Sequence, residues 1–305
     1  MTLAPADSVN VSRRVLIDAS RALGLDTEGA EPIRIAENAI WRIPGKLVAR
    51  ISRPGGTPAA SREIAVANWL AGQGIPAVRP APGIAQPITI DGRAVTIWEE
   101  LPPHRDGNVS EVAYLLKALH ALPEPDFDLE PLEPFRKIRT RLDQAKAIKE
   151  SDREWLYGYT DELEAAWLRL VESPGLSRCV LHGDAWVGNV ASAEDGTAYL
   201  LDLDSFTVGP REWDLTSTAV KLTSTSSITQ HEYEDFCTVY GADVTSWEGY
   251  EVLRDIRELR MTAYAARITT EHPDHPHARH ETQYRIECLM GGQGQQRPWR
   301  WTAVP

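Results

Sequence analysis

The sequence predicts an α+β fold in two lobes, with a front lobe rich in β-strands and one inserted helix, and a mostly helical back lobe. Three observations support this prediction. Short apolar runs separated by turns fill residues 33–51, apolar residues follow helical spacing across 58–73, and helical spacing dominates beyond residue 103. A short segment that ends in prolines separates the two patterns. We therefore expect a front lobe at 1–97, a connector at 98–103 and a back lobe at 104–305.

The composition indicates a globular protein without a membrane span. Of its 305 residues, 42% are hydrophobic and 25% are charged, which is usual for a globular chain. No apolar run approaches the ~20 residues of a membrane-spanning helix, and the N-terminus lacks the basic and apolar regions of a secretory signal. Three scattered cysteines, Cys179, Cys237 and Cys288, fit reduced thiols. We therefore expect a cytoplasmic location.

The charge balance limits the choice of partners. A net charge of −12 argues against nucleic acid and anionic membranes. It is compatible with a cationic substrate, although many proteins are acidic because net charge favours solubility. The sequence contains no indication of the oligomeric state.

The elements of the front lobe are predicted from apolar spacing and turn residues. A helix covers residues 8–25 and ends near Gly24. The pair Asp91-Gly92 between two apolar runs is a strong hairpin signal, because such a two-residue turn requires positive φ angles. The predicted strands span residues 32–35, 39–43, 47–51, 86–90 and 94–98, with the inserted helix at 58–73.

The back lobe is predicted in the same way. Ser110 is the expected cap of a helix that runs to His120. Residues 272–280 contain four histidines (His272, His275, His277 and His280) and two prolines, and we expect a mobile loop there rather than a metal site. Trp299 and Trp301 are expected to dock the C-terminal tail. Further helices are predicted within 134–172, at 213–222 and at 251–266, and short strands at 180–181, 190–191 and 199–203.

The most informative segment runs from His182 to Asn189 and has the sequence HGDAWVGN. A predicted hairpin separates it from Asp202-Leu203-Asp204. The carboxylate of Asp184 can take a proton from a hydroxyl group, and the oxygens of Asn189 and Asp202 are ligands that Mg²⁺ prefers. The pattern indicates a metal–phosphate site, with Asp184 and Asp202 on either side of one phosphoryl group.

The ordered set of motifs resembles the aminoglycoside phosphotransferase and choline kinase family, whose fold is like that of protein kinases. His182-Gly183-Asp184 followed by Asn189 resembles the H-G-D-x-x-x-x-N loop of that family. Leu200-Leu201-Asp202-Leu203-Asp204 is similar to its metal-binding strand end, and Glu212-Trp213-Asp214-Leu215 to the start of the next helix. Leu119-His120-Ala121-Leu122-Pro123 is similar to a stretch common before the loop. The resemblance covers nearly the whole chain and implies a protein-kinase-like, two-lobed fold.

The resemblance also implies roles for the polar residues of these motifs. Asp184 corresponds to the catalytic base and Asp202 to a ligand of Mg²⁺, while Asn189 would hold a second Mg²⁺ or steady the loop. Asp204 could be another metal ligand or a solvated carboxylate, and alternation along a strand leaves both open. Two further residues are expected to support the loop rather than to react: His182 and Asp214.

By the same resemblance, the front lobe would bind the nucleotide. Leu47-Val48-Ala49-Arg50 resembles the V-A-I-K strand, with Arg50 in place of lysine, and arginine can still bind phosphate through two hydrogen bonds. Glu63 on the next helix is the expected ion-pair partner, and Arg53 competes for the phosphate role. The turn at Glu37-Asn38 lacks a glycine-rich loop, so Asn38 is the predicted donor to the phosphates.

The connector at 98–103 would bind adenine through the backbone C=O of Glu99 and the backbone N–H of Leu101. Trp98 either guards the back of this pocket, packs in the core, or does both.

Together, these assignments predict an enzyme that uses Mg²⁺ and transfers the γ-phosphate of ATP or GTP to a hydroxyl of an aminoglycoside, an amino sugar or an amino alcohol. A nucleotide-binding pseudokinase is the alternative, which the complete set of Asp184, Asn189 and Asp202 disfavours. A metal hydrolase would need a second histidine pair that the sequence does not place. The acidic residues that could meet an amine, or form an ordinary helix face, are Glu232, Glu234, Asp235, Glu251, Asp255 and Glu258.

Overall fold

The computed structural model describes residues 5–36, 38–173, 176–292 and 296–304, which form two compact units. The first unit holds the chain up to Gly107 together with Val187–Phe206. The second unit holds Asn108–Trp186 and the chain from Thr207. Val187–Phe206 belongs to the first unit, although its position in the sequence suggested the back lobe. The division into functional lobes around residues 98–103 stays a prediction.

The first unit is built around a five-stranded antiparallel sheet. Its first elements are α1 (Pro5–Leu23), β1 (Glu31–Ile35), β2 (Ala39–Ile43), β3 (Leu47–Pro54), α2 (Thr57–Gly72), β4 (Ile88–Ile90) and β5 (Arg93–Glu99). The strand order is β1-β2-β3-β5-β4. The meander, the inserted helix and the hairpin predicted from the sequence are therefore confirmed.

The β4–β5 hairpin turns at the predicted Asp91-Gly92 pair. The φ angle is +49° at Asp91 and +72° at Gly92. A two-residue turn with two positive φ angles matches the right-handed twist of the strands it joins. This turn sets the register of β5, which pairs with β3 from Arg93 to Glu99.

The core of the first unit lies between the sheet and α1. Trp41 and Ile43 of β2 are buried while Arg42 between them is exposed, as expected for a sheet with one covered face. Val15 of α1 is fully buried in the same cluster. The indole N–H of Trp41 donates to the Ser12 hydroxyl at 3.3 Å, which satisfies a buried polar group.

The chain continues with short strands and the helices of the second unit. In chain order, these elements are β6 (His104–Asp106), α3 (Val109–His120), α4 (Arg136–Gln144), α5 (Glu150–Val171), β7 (Cys179–Leu181), β8 (Val190–Ala193), β9 (Ala198–Leu200), β10 (Thr207–Gly209), α6 (Glu212–Thr223), α7 (Gln230–Tyr240), α8 (Tyr250–Glu271) and α9 (Pro276–Leu289). Strands β6, β8 and β9 form a sheet of the first unit, and β7 pairs with β10 in the second. Among the described helices, none has the length and apolar character to cross a membrane.

Two boundaries differ from the sequence predictions. Helix α3 is capped by Asn108 and not by Ser110: the Asn108 side chain accepts from the backbone N–H of Glu111, whose carboxylate accepts from the N–H of Asn108. Strand β9 ends at Leu200, so the predicted strand at 199–203 is too long. Leu203–Ser205 instead forms a 3₁₀ turn.

The mobile loop predicted at 272–280 is wrong over its second half, where α9 begins. Pro276 suits the first helical turn because its fixed φ angle is helical and its missing N–H would have no partner there. The His275 side chain caps the helix by accepting from the N–H of Ala278. Across the described ranges, no group of three or more His, Cys, Asp or Glu side chains could hold a metal ion.

Helix α8 is at the centre of the second unit. Its residues Leu253, Ile256 and Leu259 are fully buried and pack with Trp213 at the start of α6. In the C-terminal tail, Trp299 and Trp301 are buried, and their stacked rings lie 5.0 Å apart. The predicted docking of the tail is therefore confirmed.

Candidate active site

The β8–β9 hairpin brings the two predicted metal ligands to one end of a sheet in the first unit. Val190 pairs with Leu200, and the N–H of Leu201 donates to the carbonyl of Asn189 at 2.9 Å. Asn189 therefore lies immediately before β8, and Asp202 lies just after β9. Asn189 is buried, whereas the Asp202 side chain is 47% exposed. The pair offers amide and carboxylate oxygens, which are the ligand types that Mg²⁺ prefers.

Asp202 has a left-handed backbone conformation, with φ of +50° and ψ of +65°. This region costs most residues about 1–2 kcal/mol, and aspartate is among the few that enter it readily. The expectation that Asp202 and Asp204 alternate along one strand is wrong, because the chain leaves the strand at Leu200. Asp204 accepts a hydrogen bond from Ser205 at 2.9 Å, and both roles considered for it stay predictions.

Arg50 on β3 is the centre of a polar cluster in the first unit, which we call the Arg50 cluster. It forms the expected ion pair with Glu63 of α2, and its Nη2 lies 3.4 Å from Oδ1 of Asp202. With its amide oxygen turned toward the guanidinium, Asn38 accepts from Nη2 at 2.8 Å and from Nε at 3.2 Å. Four of the predicted site residues are thus in contact, while their binding of a nucleotide stays a prediction.

Carboxylates are in excess in the Arg50 cluster. Burial alone would lower the pKa of Arg50, but the charges of Glu63 and then of Asp202 and Asp204 raise it above its ordinary value. Burial raises the pKa of Glu63 to about 7; Arg50 opposes this shift, and the two aspartates add to it. Since three carboxylates share the Arg50 guanidinium, the cluster retains negative charge, which favours a bound cation.

Arg53 and the turn at Glu37-Asn38 give less information about where the phosphates would bind. Arg53 is exposed near the end of β3. Glu37, in the turn that lacks a glycine-rich loop, lies outside the described residues. The geometry therefore favours Arg50 over Arg53 as the cation beside Glu63 and Asp202.

The connector after β5 has an ordered backbone. The N–H of Glu99 donates to the carbonyl of Arg79 at 2.9 Å, and that of Glu100 to the carbonyl of Lys46 at 2.8 Å. Trp98 is 5% exposed and donates to the Thr96 hydroxyl at 2.8 Å, so its predicted packing in the core is confirmed. The adenine contacts expected from the Glu99 C=O and the Leu101 N–H stay predictions.

In the second unit, Asp214 holds the beginning of the loop at 182–189. Its fully buried carboxylate accepts from the N–H of His182 at 2.8 Å and from that of Gly183 at 2.9 Å, which confirms its expected role. Gly183 has a φ of +82°, a conformation that other residues rarely adopt. His182 is fully buried, as a structural role requires. These contacts fix the backbone immediately before Asp184.

His120 of α3 connects Asp214 to the rest of the second unit. Its Nε2 lies 3.2 Å from Oδ2 of Asp214, and its Nδ1 lies 2.9 Å from the hydroxyl of Tyr240. Burial alone would raise the pKa of Asp214, but the hydrogen bond from His120 and nearby positive charges hold it below its ordinary value of 3.8. The ionised carboxylate can therefore accept from the loop at neutral pH.

Arg257 of α8 supports the same loop and was not singled out from the sequence. Its Nη2 donates to the carbonyl of Trp213 at 2.9 Å and lies 3.4 Å from that of Gly183, while its Nη1 lies 3.7 Å from Oδ1 of Asp184. Asp184 is 48% exposed, whereas Arg257 is almost completely buried. Asp184 can therefore meet an external hydroxyl while its backbone is held from the buried side. An arginine within a long helix carries no sequence signal for this role.

The acidic residues considered for amine recognition already have partners. Glu258 pairs with Arg297 at 2.6 Å, and Asp255 pairs with the same arginine at 2.9 Å. The other four are occupied as follows: Glu251 lies 3.5 Å from Arg254, Glu232 forms a capping box with Thr229, Glu234 accepts from Gln230, and Asp235 lies 3.8 Å from His231. The interpretation as ordinary helix faces is favoured.

Solved structures with the same fold extend over nearly the whole chain. The choline kinase LicA from Streptococcus pneumoniae has a TM-score of 0.64 and 16% identity, covering 91% of this chain and 98% of its own. The amicoumacin kinase hAmiN has a TM-score of 0.72 and 13% identity, with 93% and 95% covered. The spectinomycin phosphotransferase APH(9)-Ia has a TM-score of 0.62 and 14% identity, with 89% and 92% covered. These similarities confirm the predicted kinase-like fold class.

The sequence comparisons give the family. None of the curated proteins matches the chain. The model of the APH family, described as the phosphotransferase enzyme family, matches residues 30–256. This match spans most of the chain, including the Arg50 cluster, the loop at 182–189 and the β8–β9 hairpin, and the protein therefore belongs to the APH phosphotransferase family.

Proposed function

We propose that this protein is a small-molecule kinase that transfers the γ-phosphoryl group of ATP to a hydroxyl group, with Mg²⁺ as the metal. The Arg50 cluster carries the proposal: it places a cation, paired with Glu63, 3.4 Å from Asp202 at the end of the β8–β9 hairpin. Phosphoryl transfer needs a cation for the phosphates and oxygen ligands for the metal, because the protein mainly positions reactants and neutralises charge.

Asp202 and Asn189 would hold the Mg²⁺. The half-exposed Asp202 can reach an external ion, and the carboxylates of Glu63, Asp202 and Asp204 outnumber the Arg50 guanidinium they face. The residues present therefore fit a divalent cation with a preference for oxygen ligands. When bound, Mg²⁺ would neutralise charge on the terminal phosphates of the nucleotide.

Asp184 would accept the proton of the attacking hydroxyl. The hydroxyl oxygen forms a bond to the γ-phosphorus, the bond between that phosphorus and the β–γ bridging oxygen breaks, and ADP leaves. A base of this kind must be accessible to the substrate and fixed in orientation. The 48% exposure of the Asp184 side chain and the buried supports from Asp214 and Arg257 support this role.

We assign the nucleotide to the first unit. The phosphates would contact Arg50 and Asn38, and the adenine would contact the C=O of Glu99 and the N–H of Leu101. The structures of hAmiN and APH(9)-Ia contain AMP-PNP and ADP, which supports an adenine nucleotide over GTP. A cytoplasmic location is part of the proposal, because the cytoplasm supplies ATP.

Aminoglycosides, amino sugars and amino alcohols are included in the acceptor screen, since spectinomycin is bound to APH(9)-Ia and amicoumacin to hAmiN. The alternative is a nucleotide-binding regulator without catalysis. Such a protein would use the Arg50 cluster but would have no need of the supports around Asp184, and these supports favour the enzyme.

Turnover tests this proposal directly. Mg²⁺-dependent formation of ADP should accompany the gain of one phosphoryl group by an acceptor, measured by mass spectrometry. Asp184→Asn should lower kcat by about 10²-fold to 10⁴-fold, because the attacking hydroxyl loses its base. The matched control is Asp126→Asn, at an exposed aspartate between α3 and α4.

Full activity of the Asp184→Asn variant would disprove the catalytic assignment. If the wild-type protein binds ATP with Mg²⁺ but phosphorylates no acceptor, the regulator is the better description.

A further inference from the structure

In the second unit, a lysine interacts electrostatically with Asp184 and also lies near a tryptophan that follows Asp184 in the loop. Lys221 lies on the last turn of α6, and its Nζ is 5.5 Å from the ring centroid of Trp186, which follows Asp184 by two residues. Trp186 is 40% exposed, and Lys221 is partly buried. In the part of the chain that the structure describes, the Lys221 ammonium donates no hydrogen bond and forms no ion pair.

Further positive charge lies behind Lys221. Arg257 is 3.7 Å from Asp184, and its guanidinium stacks on Trp213 at 4.0 Å. Burial lowers the pKa of Lys221; the charge of Asp184 opposes this effect, and the charges of Arg285 and Arg257 add to it. Partial burial therefore disfavours the charged form of Lys221, which has the carboxylate of Asp184 as its negative neighbour, and a further anion placed beside the ammonium would stabilise it.

Helices α7 and α8 offer few unengaged carboxylates that could bind a cationic acceptor. The six acidic residues of α7 and α8 considered above are engaged by arginines, by helix caps or by neighbours on the same helix. Within the described residues, Lys221 is a cation near Asp184 whose ammonium has no carboxylate within ion-pair distance.

Resting on the proposed phosphotransfer, we propose that the acceptor is a hydroxyl compound that also carries an anionic group, a carboxylate or a phosphate, and that this group binds Lys221. Its reacting hydroxyl meets Asp184, and an apolar part of the molecule lies against the exposed ring of Trp186. A lysine binds either anion as a point charge, so the shared chemistry is a fixed negative charge within a few bonds of the hydroxyl.

Lys221 could instead contact the phosphoryl group during its transfer. In that case its loss would slow the reaction of every acceptor, whether charged or neutral. A lysine that binds the anion of the acceptor affects only acceptors that carry one. The two roles therefore differ in which kinetic constant changes and for which substrates.

The experiment uses matched pairs of acceptors with the full-length protein. Sugar acids, short hydroxy acids and sugar phosphates are each paired with the uncharged counterpart, and glucosamine provides a cationic comparison. The wild-type protein should prefer the anionic member of at least one pair. Lys221→Met should raise KM for that acceptor about 10-fold to 100-fold, as the loss of a charge-assisted hydrogen bond predicts, and should leave KM for the uncharged counterpart unchanged.

Two further variants serve as controls for Lys221→Met. Lys221→Arg retains the charge and should retain the preference for anionic acceptors, whereas Lys137→Met, at an exposed lysine on α4, should behave as the wild type. A carboxylate and a phosphate are distinguished by whether sugar acids or sugar phosphates show the effect of Lys221→Met.

The proposal is overturned if anionic acceptors react no better than their uncharged counterparts, or if glucosamine reacts and no anionic acceptor does. It is also overturned if Lys221→Met lowers kcat equally for charged and uncharged acceptors, which would assign Lys221 to the transferred phosphoryl group. In each of these results the protein is still a kinase. If the wild-type protein phosphorylates no acceptor while it binds ATP and Mg²⁺, the proposed function itself fails.

Discussion

At the residue scale, the backbone of Asp202 connects stability to the proposed metal site. Its φ of +50° suits aspartate, asparagine or glycine, but not alanine. Asp202→Asn should therefore change the free energy of unfolding by less than about 1 kcal/mol and still lower Mg²⁺-dependent turnover strongly, because the two proposed ligands, residues 189 and 202, would then include no charged carboxylate. Asp202→Ala should be less stable than Asp202→Gly by about 1 kcal/mol. Urea unfolding and turnover assays check both statements.

Asp91 provides the matched control for the Asp202 series, since its φ of +49° is similar and it lies in the β4–β5 turn. Asp91→Ala should show the same loss of stability as Asp202→Ala with no loss of turnover. If Asp202→Asn retains full turnover, Asp202 is not a metal ligand, and its left-handed backbone conformation serves only the fold.

At the scale of elements, Asp214 at the start of α6 makes the loop at 182–189 dependent on pH. Its folded-state pKa lies below 3.8, so its ionised form stabilises the protein fully above that value and this contribution is lost as the pH falls through the folded-state pKa. Asp214→Asn should lower the free energy of unfolding by about 2–4 kcal/mol at neutral pH, because its amide cannot accept all three bonds. Urea unfolding from about pH 7 to about pH 3 should show the difference between the two proteins shrinking below about pH 4. A difference that widens in acid would contradict this account.

Among the helices and strands, some could be predicted from the sequence and others could not. The β4–β5 hairpin was predictable because Asp91-Gly92 permits few other turns, and α2 because its apolar spacing is regular. The cap of α3 was misplaced by two residues, since Asn108 and Ser110 both cap helices and only the reciprocal bond with Glu111 decides between them. Helix α9 was mistaken for a loop because His275 and Pro276, which together begin it, are also common turn residues.

At the scale of the whole molecule, contacts between residues far apart in the chain are what the sequence could not predict. The ordered motifs were enough to predict the family and the kinase-like fold, and the Arg50–Glu63 pair follows from a strand and the next helix. Arg257 and Lys221 could not be assigned in this way, because each lies on a helix whose register near Asp184 depends on the packing of the complete second unit. Likewise, the acidic residues of α8 looked available until the tail supplied Arg297.

The C-terminal tail leads to a prediction about the entire second unit. The Glu258 side chain is fully buried and pairs with Arg297 at 2.6 Å, with Arg254 farther away at 4.0 Å. Arg297→Met should lower the free energy of unfolding by about 3–5 kcal/mol, because it leaves a buried carboxylate without its main partner. Burial already raises the pKa of Glu258, and the loss of Arg297 would raise it further. The variant should therefore become less stable as the pH rises toward neutrality, since an unpaired Glu258 must then give up its proton.

The double variant Glu258→Gln with Arg297→Met separates charge from packing. The double variant should recover most of the lost stability, and the additional pH dependence caused by Arg297→Met should disappear, because the buried carboxylate is absent. Thermal and urea unfolding of the wild type and both variants provide the measurement. If the double variant is as unstable as Arg297→Met, the tail stabilises the second unit through the packing of Arg297 on Trp299, whose ring centroid lies 4.5 Å from the guanidinium, and not through the ion pair.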